Sequence, residues 1–83
     1  MPEERVGRVK DYFARIGVAG IDLEGTLRVG DRIHIKGHTT DFEQTVESMQ
    51  IEHEAVQEAH AGQAVGVKVR ERCREGHIVY KVT

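Results

Sequence analysis

Residues 25–37, GTLRVGDRIHIKG, decide the fold of this chain. A turn glycine, a short apolar run and a Gly-Asp pair lead into residues 32–36, where polar and apolar residues alternate strictly. An alternation with a period of two places Ile33 and Ile35 on one face of a strand. The stretch therefore predicts a β-hairpin that packs one face against a core. The residues expected on the opposite, solvated face are Arg32, His34 and Lys36.

Length and composition restrict the possible classes of protein. A chain of 83 residues is long enough for one domain with one modest core. The chain has 12 Lys and Arg residues and 14 Asp and Glu residues. The resulting net charge of -2 gives no global basic field that would attract nucleic acids. Cys73 is the only cysteine, so we expect no internal disulfide and a cytoplasmic location. No apolar stretch approaches the roughly 20 residues that span a bilayer, so we expect no membrane partner.

Short segments rich in Val and Ile, separated by glycines, predict strands along nearly the whole chain. Together they predict an all-β fold, a small closed barrel of six antiparallel-rich strands that forms one domain over residues 1–83. Closure also removes the exposed strand edges that an all-β chain of this size has reason to avoid. The predicted strands are residues 5–10, 16–23, 32–36, 42–52, 64–72 and 78–82.

Two of these segments carry further expectations. The fourth strand has a phase break near residues 47–48, and a bulge there would keep four apolar residues on one face. Residues 54–61 are rich in Glu, Gln and Ala but too short for an isolated helix, so we expect a loop that contains a turn. In the last strand, Ile78, Tyr80 and Val82 are expected to share one side. The four residues that the bulge would keep inside are Phe42, Val46, Met49 and Ile51.

Three stretches together resemble the second domain of translational GTPases such as elongation factor Tu: GTLRVGDRIHIKG, VESMQIEHEAVQEAHAGQAVGVKVRE and REGHIVYKV. In that family a strand enters a G-x-L-x-x-G-D hairpin, and an A-G-x-x-V-G-V turn opens the next core strand. Gly30 permits a turn that a Cβ would strain, and Asp31 can hydrogen-bond the amides of its own turn. The matching positions are Gly25, Leu27, Gly30 and Asp31, then Ala61, Gly62, Val65, Gly66 and Val67, with Gly76 before the last strand.

The resemblance implies a barrel without a GTPase. No Gly-Lys-Ser/Thr sequence of a phosphate-binding loop is present, so we expect neither GTP binding nor its hydrolysis. In the family this barrel is an adaptor between the GTPase domain and RNA, which implies a non-catalytic module that binds tRNA, rRNA or the ribosome. A similar barrel is appended to some collagenase-like U32 peptidases, which leaves a protein-interaction or oligomerisation barrel with a separate protein partner as the alternative.

Basic residues at every second position suggest where RNA would bind. In a regular strand, Lys68, Arg70, Arg72 and Arg74 would project from one face and could track phosphates. The alternative is a solvated barrel face whose cations are offset by nearby glutamates. Tyr12 and Phe13 could stack on bases or could cover the core. The candidate RNA-binding residues are Arg8, Lys10, Tyr12, Phe13, Arg15, Lys68, Arg70, Arg72 and Arg74.

A departure from the family pattern suggests a surface for protein contacts. Asp22 stands where translation factors usually have an inward apolar residue, with Ile21 and Leu23 on either side. Either the strand is bulged at Gly20, or the two apolar side chains point outward. In the second case, Ile21 and Leu23 are candidate interaction residues.

No residue pattern predicts an enzyme. His34 and His38 lie near two aspartates around one turn, but their spacing matches no standard zinc pattern, so we expect surface histidines. Cys73 and His77 are close in sequence, but no third residue or oxyanion-forming element accompanies them, so we expect a core-edge cysteine and a turn histidine. The sequence therefore predicts no catalytic residue, no metal and no cofactor.

Overall fold

A computed structural model describes residues 3–38 and 40–82, and these residues form ten β-strands. The all-β, barrel-type fold predicted from the sequence is confirmed. The predicted bounds of the third and sixth strands are matched, and several other predicted strands are divided or shortened. In chain order the strands are β1 (Glu3–Phe13), β2 (Val18–Leu23), β3 (Leu27–Arg28), β4 (Arg32–Lys36), β5 (Asp41–Thr45), β6 (Met49–Ile51), β7 (Glu54–Val56), β8 (Glu58–Ala59), β9 (Ala64–Lys68) and β10 (Ile78–Val82).

Eight of these strands form one antiparallel sheet in the order β5-β4-β10-β1-β2-β9-β6-β7, and β3 pairs with β8 in a separate two-stranded sheet. This small sheet lies between the two ends of the large one. The amide of Val29 donates to the Gln57 carbonyl beside β7 at 2.9 Å, and the amide of Gly30 donates to the Val46 carbonyl beyond β5 at 2.8 Å. The described strands therefore make a barrel whose sheet ends are bridged by the short β3–β8 pair rather than by a continuous ladder.

The Gly-Asp turn before β4 forms as predicted, but the predicted hairpin is wrong, because β3 pairs with β8 while β4 pairs with β5 and β10. Gly30 has a φ of 99°, in the left-handed region that favours glycine. The Asp31 carboxylate accepts a hydrogen bond from the Arg28 amide at 2.9 Å, and the Asp31 amide donates to the Arg28 carbonyl at 3.1 Å. The other two predicted turn glycines, Gly62 and Gly76, also have positive φ values, of 89° and 95°.

One cluster of buried apolar side chains fills the barrel. Alternate residues of the strands supply it, as in β9, where Val65 and Val67 are buried and Lys68 is exposed. Full burial of a Val, Ile or Leu side chain contributes roughly 1.5–3 kcal/mol, so this cluster is the main source of stability. Its members are Val6, Val9, Ala19, Ile21, Leu23, Leu27, Ile33, Ile35, Phe42, Val46, Met49, Ala59, Val65, Val67, Val69, Cys73 and Val79.

The segment predicted as one bulged strand, residues 42–52, forms two strands instead. β5 pairs with β4 and β6 pairs with β7 and β9, so residues 46–48 carry the chain from one end of the sheet to the other. The phase break was correctly placed, since Phe42, Val46 and Met49 are all buried, while Ile51 is half-buried against the core.

Residues 54–61, expected as a loop, contain β7 and β8. The ladder partners of these short strands explain the difference. β7 completes a hairpin with β6, and Ala59 of β8 is fully buried opposite Leu27 of β3. Pairing and burial outweigh the weak strand preference of Glu and Ala.

β10 presents its second residue, Val79, to the core. Val79 is fully buried, whereas the side shared by Ile78, Tyr80 and Val82 is only partly buried and faces outward. β10 lies between β1 and β4, with Tyr80 opposite His34. The sequence correctly predicted that Ile78, Tyr80 and Val82 share one side of the strand. Alternation alone does not show which side faces the core.

Candidate functional site

The four basic residues at every second position do not lie on one regular strand. β9 ends at Lys68. At this end of the strand, the side chain of Gln44 hydrogen-bonds the backbone. Its Nε2 donates to the Lys68 carbonyl at 2.8 Å, and its Oε1 accepts from the Arg70 amide at 2.7 Å. Gln44 is 3% exposed, so these bonds fasten the end of β9 to β5. Arg72 and Arg74 follow in irregular chain, and the predicted stripe does not form.

The five candidate residues of β1 and its following turn lie in different environments. Tyr12 is half-buried and packs against the core, whereas Phe13 is exposed. Lys10 and Phe13 line a groove on the barrel surface. Arg8 is exposed in the middle of β1, and Arg15 is exposed in the turn. The structure therefore brings together only Lys10 and Phe13 of this set.

The predicted interaction residues Ile21 and Leu23 do not reach the surface. Their side chains are 0% and 4% exposed, so this prediction is wrong. β2 alternates regularly, with Asp22 on the outer face. The irregularity lies in β1, where the ladder to β2 skips Lys10. Because β2 itself alternates regularly, both apolar residues point inward.

A groove with a volume of about 370 Å³ crosses the outer face of β2, β9 and β6. Gly20 of β2 lies opposite Gly66 of β9, and Gly66 lies opposite Gln50 of β6. The middle of the groove floor therefore carries no side chain. A bound molecule can approach the backbone of two neighbouring strands there.

Two large apolar side chains border this groove. Phe13 is 51% exposed and Ile16 is 61% exposed. Both belong to a tight turn in which the amides of Ile16 and Gly17 donate to the Phe13 carbonyl at 3.2 Å and 2.9 Å. Gly17 has a φ of 66°, so a glycine suits the end of this turn. The turn fixes the backbone on which the two side chains stand.

The opposite rim of the groove is a two-residue hairpin between β6 and β7. Ile51 pairs with Glu54, and the two residues between them, Glu52 and His53, have φ values of 51° and 67°. Two positive φ values are the signature of a type I′ turn, which usually carries Asn-Gly. Glu52 and His53 both line the groove and hold a conformation that ordinary residues adopt at a cost.

His34 is the centre of a polar cluster on the outer face of β4. Its ring is 9% exposed, so the prediction of a solvated histidine is wrong. Its Nδ1 lies 2.5 Å from Oε2 of Glu3, and its Nε2 contacts Asp41 Oδ1. Lys36 Nζ lies 3.7 Å from Glu3 Oε1 and 5.5 Å from the centre of the Tyr80 ring. The cluster ties the start of β1 to β4 and β5.

The electrostatics of this cluster favour its charged form. The hydrogen bond to Asp41 raises the pKa of His34, with a further contribution from Glu3, although burial opposes the rise. The hydrogen bonds from His34 lower the pKa of both Glu3 and Asp41. Because each nitrogen of the ring already faces a carboxylate, we interpret the cluster as a structural clamp.

Cys73 and His77 have the environment of structural residues. Cys73 is 2% exposed, and burial, followed by the charge of Glu71, raises the pKa of its thiol to about 11. His77 is also buried, and its Nδ1 accepts a hydrogen bond from the Arg74 amide at 3.2 Å. Burial, followed by the charge of Arg74, lowers the pKa of His77. A neutral, buried thiol is a poor nucleophile, and the Nδ1 of His77 is already occupied.

Sequence reasoning missed three residues that matter here: Ile16, Gln44 and Gln50. Ile16 was assigned to a strand, although its place between Arg15 and Gly17 is consistent with an apolar residue carried on a turn. Gln44 lies two residues after Phe42, on the inward parity of β5, which was a usable signal for a buried polar residue. For Gln50 the sequence offered no signal.

Within residues 3–38 and 40–82, no three His, Cys, Asp or Glu side chains are grouped so that they could hold a metal ion. In the same part of the chain, no helix has the length and apolar character needed to cross a membrane.

Comparison with known proteins then places the chain. The sequence profile of elongation factor Tu domain 2 matches residues 13–75. The chain belongs to the elongation factor Tu domain 2 family. The family assignment agrees with the barrel described above and with the turn motifs around Gly30 and Gly62.

Two curated relatives that this chain resembles are named as a protease and a collagenase. An uncharacterized protease of Methanocaldococcus jannaschii is 45% identical over 76 residues, which cover 90% of this chain and 19% of the relative. A collagenase of Porphyromonas gingivalis is 38% identical over 78 residues, which cover 92% of this chain and 22% of the relative. This domain 2 barrel thus spans about a fifth of the length of the curated relatives that it matches.

Two solved structures that this chain resembles also belong to a protein named as a peptidase. The C-terminal domain of a Geobacillus thermoleovorans protein described as a U32 peptidase superposes with a TM-score of 0.90 at 25% identity, covering 96% of this chain and 93% of that one. Its selenomethionine variant superposes with a TM-score of 0.87 at 25% identity, covering 92% of this chain and 96% of that one. The predicted role as a translation-factor-like module that binds tRNA, rRNA or the ribosome is therefore wrong, because these relatives and structures are named as peptidases.

Proposed function

We propose that this domain 2 barrel is a non-catalytic protein-interaction module of a U32-type peptidase. One observation carries the proposal: the whole barrel matches about a fifth of proteins named as a protease and a collagenase. A unit that recurs as a part of larger peptidases is expected to assist the peptidase rather than to replace it.

The groove is the surface best suited to such an interaction. Phe13 and Ile16 expose large apolar side chains next to each other, and exposed apolar patches with polar rims commonly mark interaction sites. Their backbone is held by the turn that ends at Gly17, so the patch needs little ordering when a partner binds.

The candidate catalytic groups support a non-catalytic role. Cys73 is buried with a raised pKa, and its neighbour His77 is engaged by the Arg74 amide. His34 is held between two carboxylates and is nearly inaccessible. Catalysis by any of these three groups would require it to meet a substrate.

A domain replacement tests the proposal. In the Porphyromonas gingivalis collagenase, the matching 78-residue segment is deleted or replaced by this chain, and hydrolysis of denatured collagen is measured. We expect the deletion to lower hydrolysis, this chain to restore it in part, and the isolated chain to hydrolyse nothing. A deletion that leaves hydrolysis unchanged, or hydrolysis by the isolated chain, would contradict the proposal.

A further inference from the structure

Gly20, on the floor of the groove, is a glycine that the fold does not require. It lies inside β2, and its φ is outside the left-handed region. A Cβ built on it would lie 3.6 Å from Asp11 Cβ and 3.7 Å from Phe13 Cε2, which are ordinary contacts. Glycine weakens the interior of a strand and often marks a place where a ligand or another backbone approaches closely. β1 is irregular opposite Gly20, but a side chain there would fit, so the missing side chain leaves the backbone of β2 open to the groove.

The charges around the groove are balanced. Lys10 is accompanied by two carboxylates, Asp11 and Glu52, so the rim does not favour a polyanion such as RNA. Between them, the Gln50 amide offers a donor and an acceptor in one side chain. A neutral chain of peptide groups, each with one donor and one acceptor, complements such a rim.

The size of the groove limits its occupant. A stable interface between folded domains buries about 800 Å² on each partner. A groove of about 370 Å³ is at the small end of the roughly 300–1,000 Å³ range of ligand sites. It is suited to a few residues of extended chain rather than to a folded domain.

We propose that the groove binds an extended segment of the polypeptide on which the associated peptidase acts. The backbone of the segment crosses Gly20 and Gly66, and one of its large apolar side chains packs between Phe13 and Ile16. The inference rests on the proposed function, since it names the ligand of the same surface.

Fluorescence anisotropy with the full chain tests this inference. The probes are a fluorescein-labelled peptide of Gly and Ser with one central Phe, the same peptide with Ala at the centre, and a single-stranded RNA of equal length. We expect the Phe peptide to bind at least about tenfold more tightly than the Ala peptide. Equal binding of the two peptides, or binding of the RNA alone, would overturn the inference.

Two alanine variants separate the groove from the fold. Gly20→Ala is expected to weaken binding of the Phe peptide by about tenfold and to keep or raise Tm. Gly25→Ala is the matched control, because its Cβ would also meet only ordinary contacts, 3.7 Å from Val6 Cγ1, and it lies outside the groove. Unaltered peptide binding by Gly20→Ala would overturn the inference.

Phe13→Ser decides the question if Gly20→Ala fails to fold, since Phe13 is exposed and its loss leaves the core intact. We expect Phe13→Ser to weaken binding of the Phe peptide as well, and unchanged binding would overturn the inference. The collagenase deletion is independent of these results. Peptide binding that fails, together with a deletion that lowers hydrolysis, would remove the inference and leave the proposed function standing.

Discussion

Gly20 and Gly66 lie directly opposite each other in the antiparallel ladder of β2 and β9. The two glycines have different reasons to be there. A Cβ at Gly66 would approach Val18 Cγ1 to 3.1 Å, so packing disfavours a side chain, whereas a Cβ at Gly20 would meet ordinary contacts. The bare floor that they share is the basis of the interaction surface that we propose.

The clamp around His34 predicts a pH-dependent stability. His34 has a raised pKa, so its contribution is complete below its ordinary value of 6.5 and is lost as pH rises through the raised value. Glu3 and Asp41 have lowered pKa values, so their contribution is present above 4.5 and is lost in acid. The clamp should therefore stabilise the fold most between pH 4.5 and 6.5.

Asp41→Asn tests this prediction. We expect it to lower Tm more at about pH 5.5 than at about pH 8.5, because only protonated His34 carries a charge and donates hydrogen bonds to both carboxylates. The variant must be compared with the wild type at each pH, since buried His77 has a lowered pKa and destabilises the fold as pH falls. Glu24→Gln, in an exposed pair with Arg5, is the control. Equal losses of Tm at the two pH values would contradict the clamp.

Removing the buried side-chain amide of Gln44 is expected to lower the free energy of unfolding strongly. Gln44→Leu leaves the Lys68 carbonyl and the Arg70 amide without their partner, and each unsatisfied group costs about 1–3 kcal/mol when it stays buried. We expect the free energy of unfolding in urea to fall by about 2–4 kcal/mol. Gln57→Leu, at an exposed position, should change it by less than about 0.5 kcal/mol. Equal effects of the two variants would contradict the described role of Gln44.

The Glu52–His53 turn predicts a stabilising substitution. Asn-Gly adopts the two positive φ values of a type I′ turn more readily than Glu-His. We expect the combined change Glu52→Asn and His53→Gly to raise the free energy of unfolding by about 1 kcal/mol. Because both side chains line the groove, the same variant is expected to alter peptide binding. A loss of stability in chemical denaturation would contradict the assigned turn geometry.

Cys73 predicts an unreactive thiol. With the pKa raised to about 11 and the side chain buried, little thiolate is available at neutral pH. We expect a disulfide reagent such as Ellman's reagent to modify the native chain at less than about a hundredth of the rate for the chain in denaturant. Comparable rates in the two states would show that the thiol is accessible.

Particular residues show which parts of the structure could be predicted from the sequence. The alternation around Ile33 and Ile35, with the Gly-Asp turn before it, predicted β4 and its bounds, because a short, regular pattern needs no distant partner. His34 was misplaced because its burial depends on Glu3 and Asp41, which other strands bring to it. A residue at a strand position with solvated parity can still be covered by side chains from its neighbours.

The candidate site was harder to predict than the fold. Phe13 was recognised as unusual, but Ile16 was not, because the turn that joins them is set by hydrogen bonds to the Phe13 carbonyl. Ile21 and Leu23 were misassigned as a surface, because the irregularity lies in β1 and not in their own strand. Local pattern gives the parity of a strand, and the register of its neighbour determines what each face meets.

The role of a non-catalytic module that engages polypeptide is tested most directly by enzyme kinetics. The enzyme is the Porphyromonas gingivalis collagenase in which this chain replaces the matching segment. The wild-type barrel is compared with a barrel carrying Phe13→Ser and Ile16→Ser, with denatured collagen as substrate. We expect KM to rise by about tenfold while kcat stays unchanged, because the groove contributes binding and no chemistry. Unchanged kinetics, or a loss of kcat at constant KM, would contradict this role.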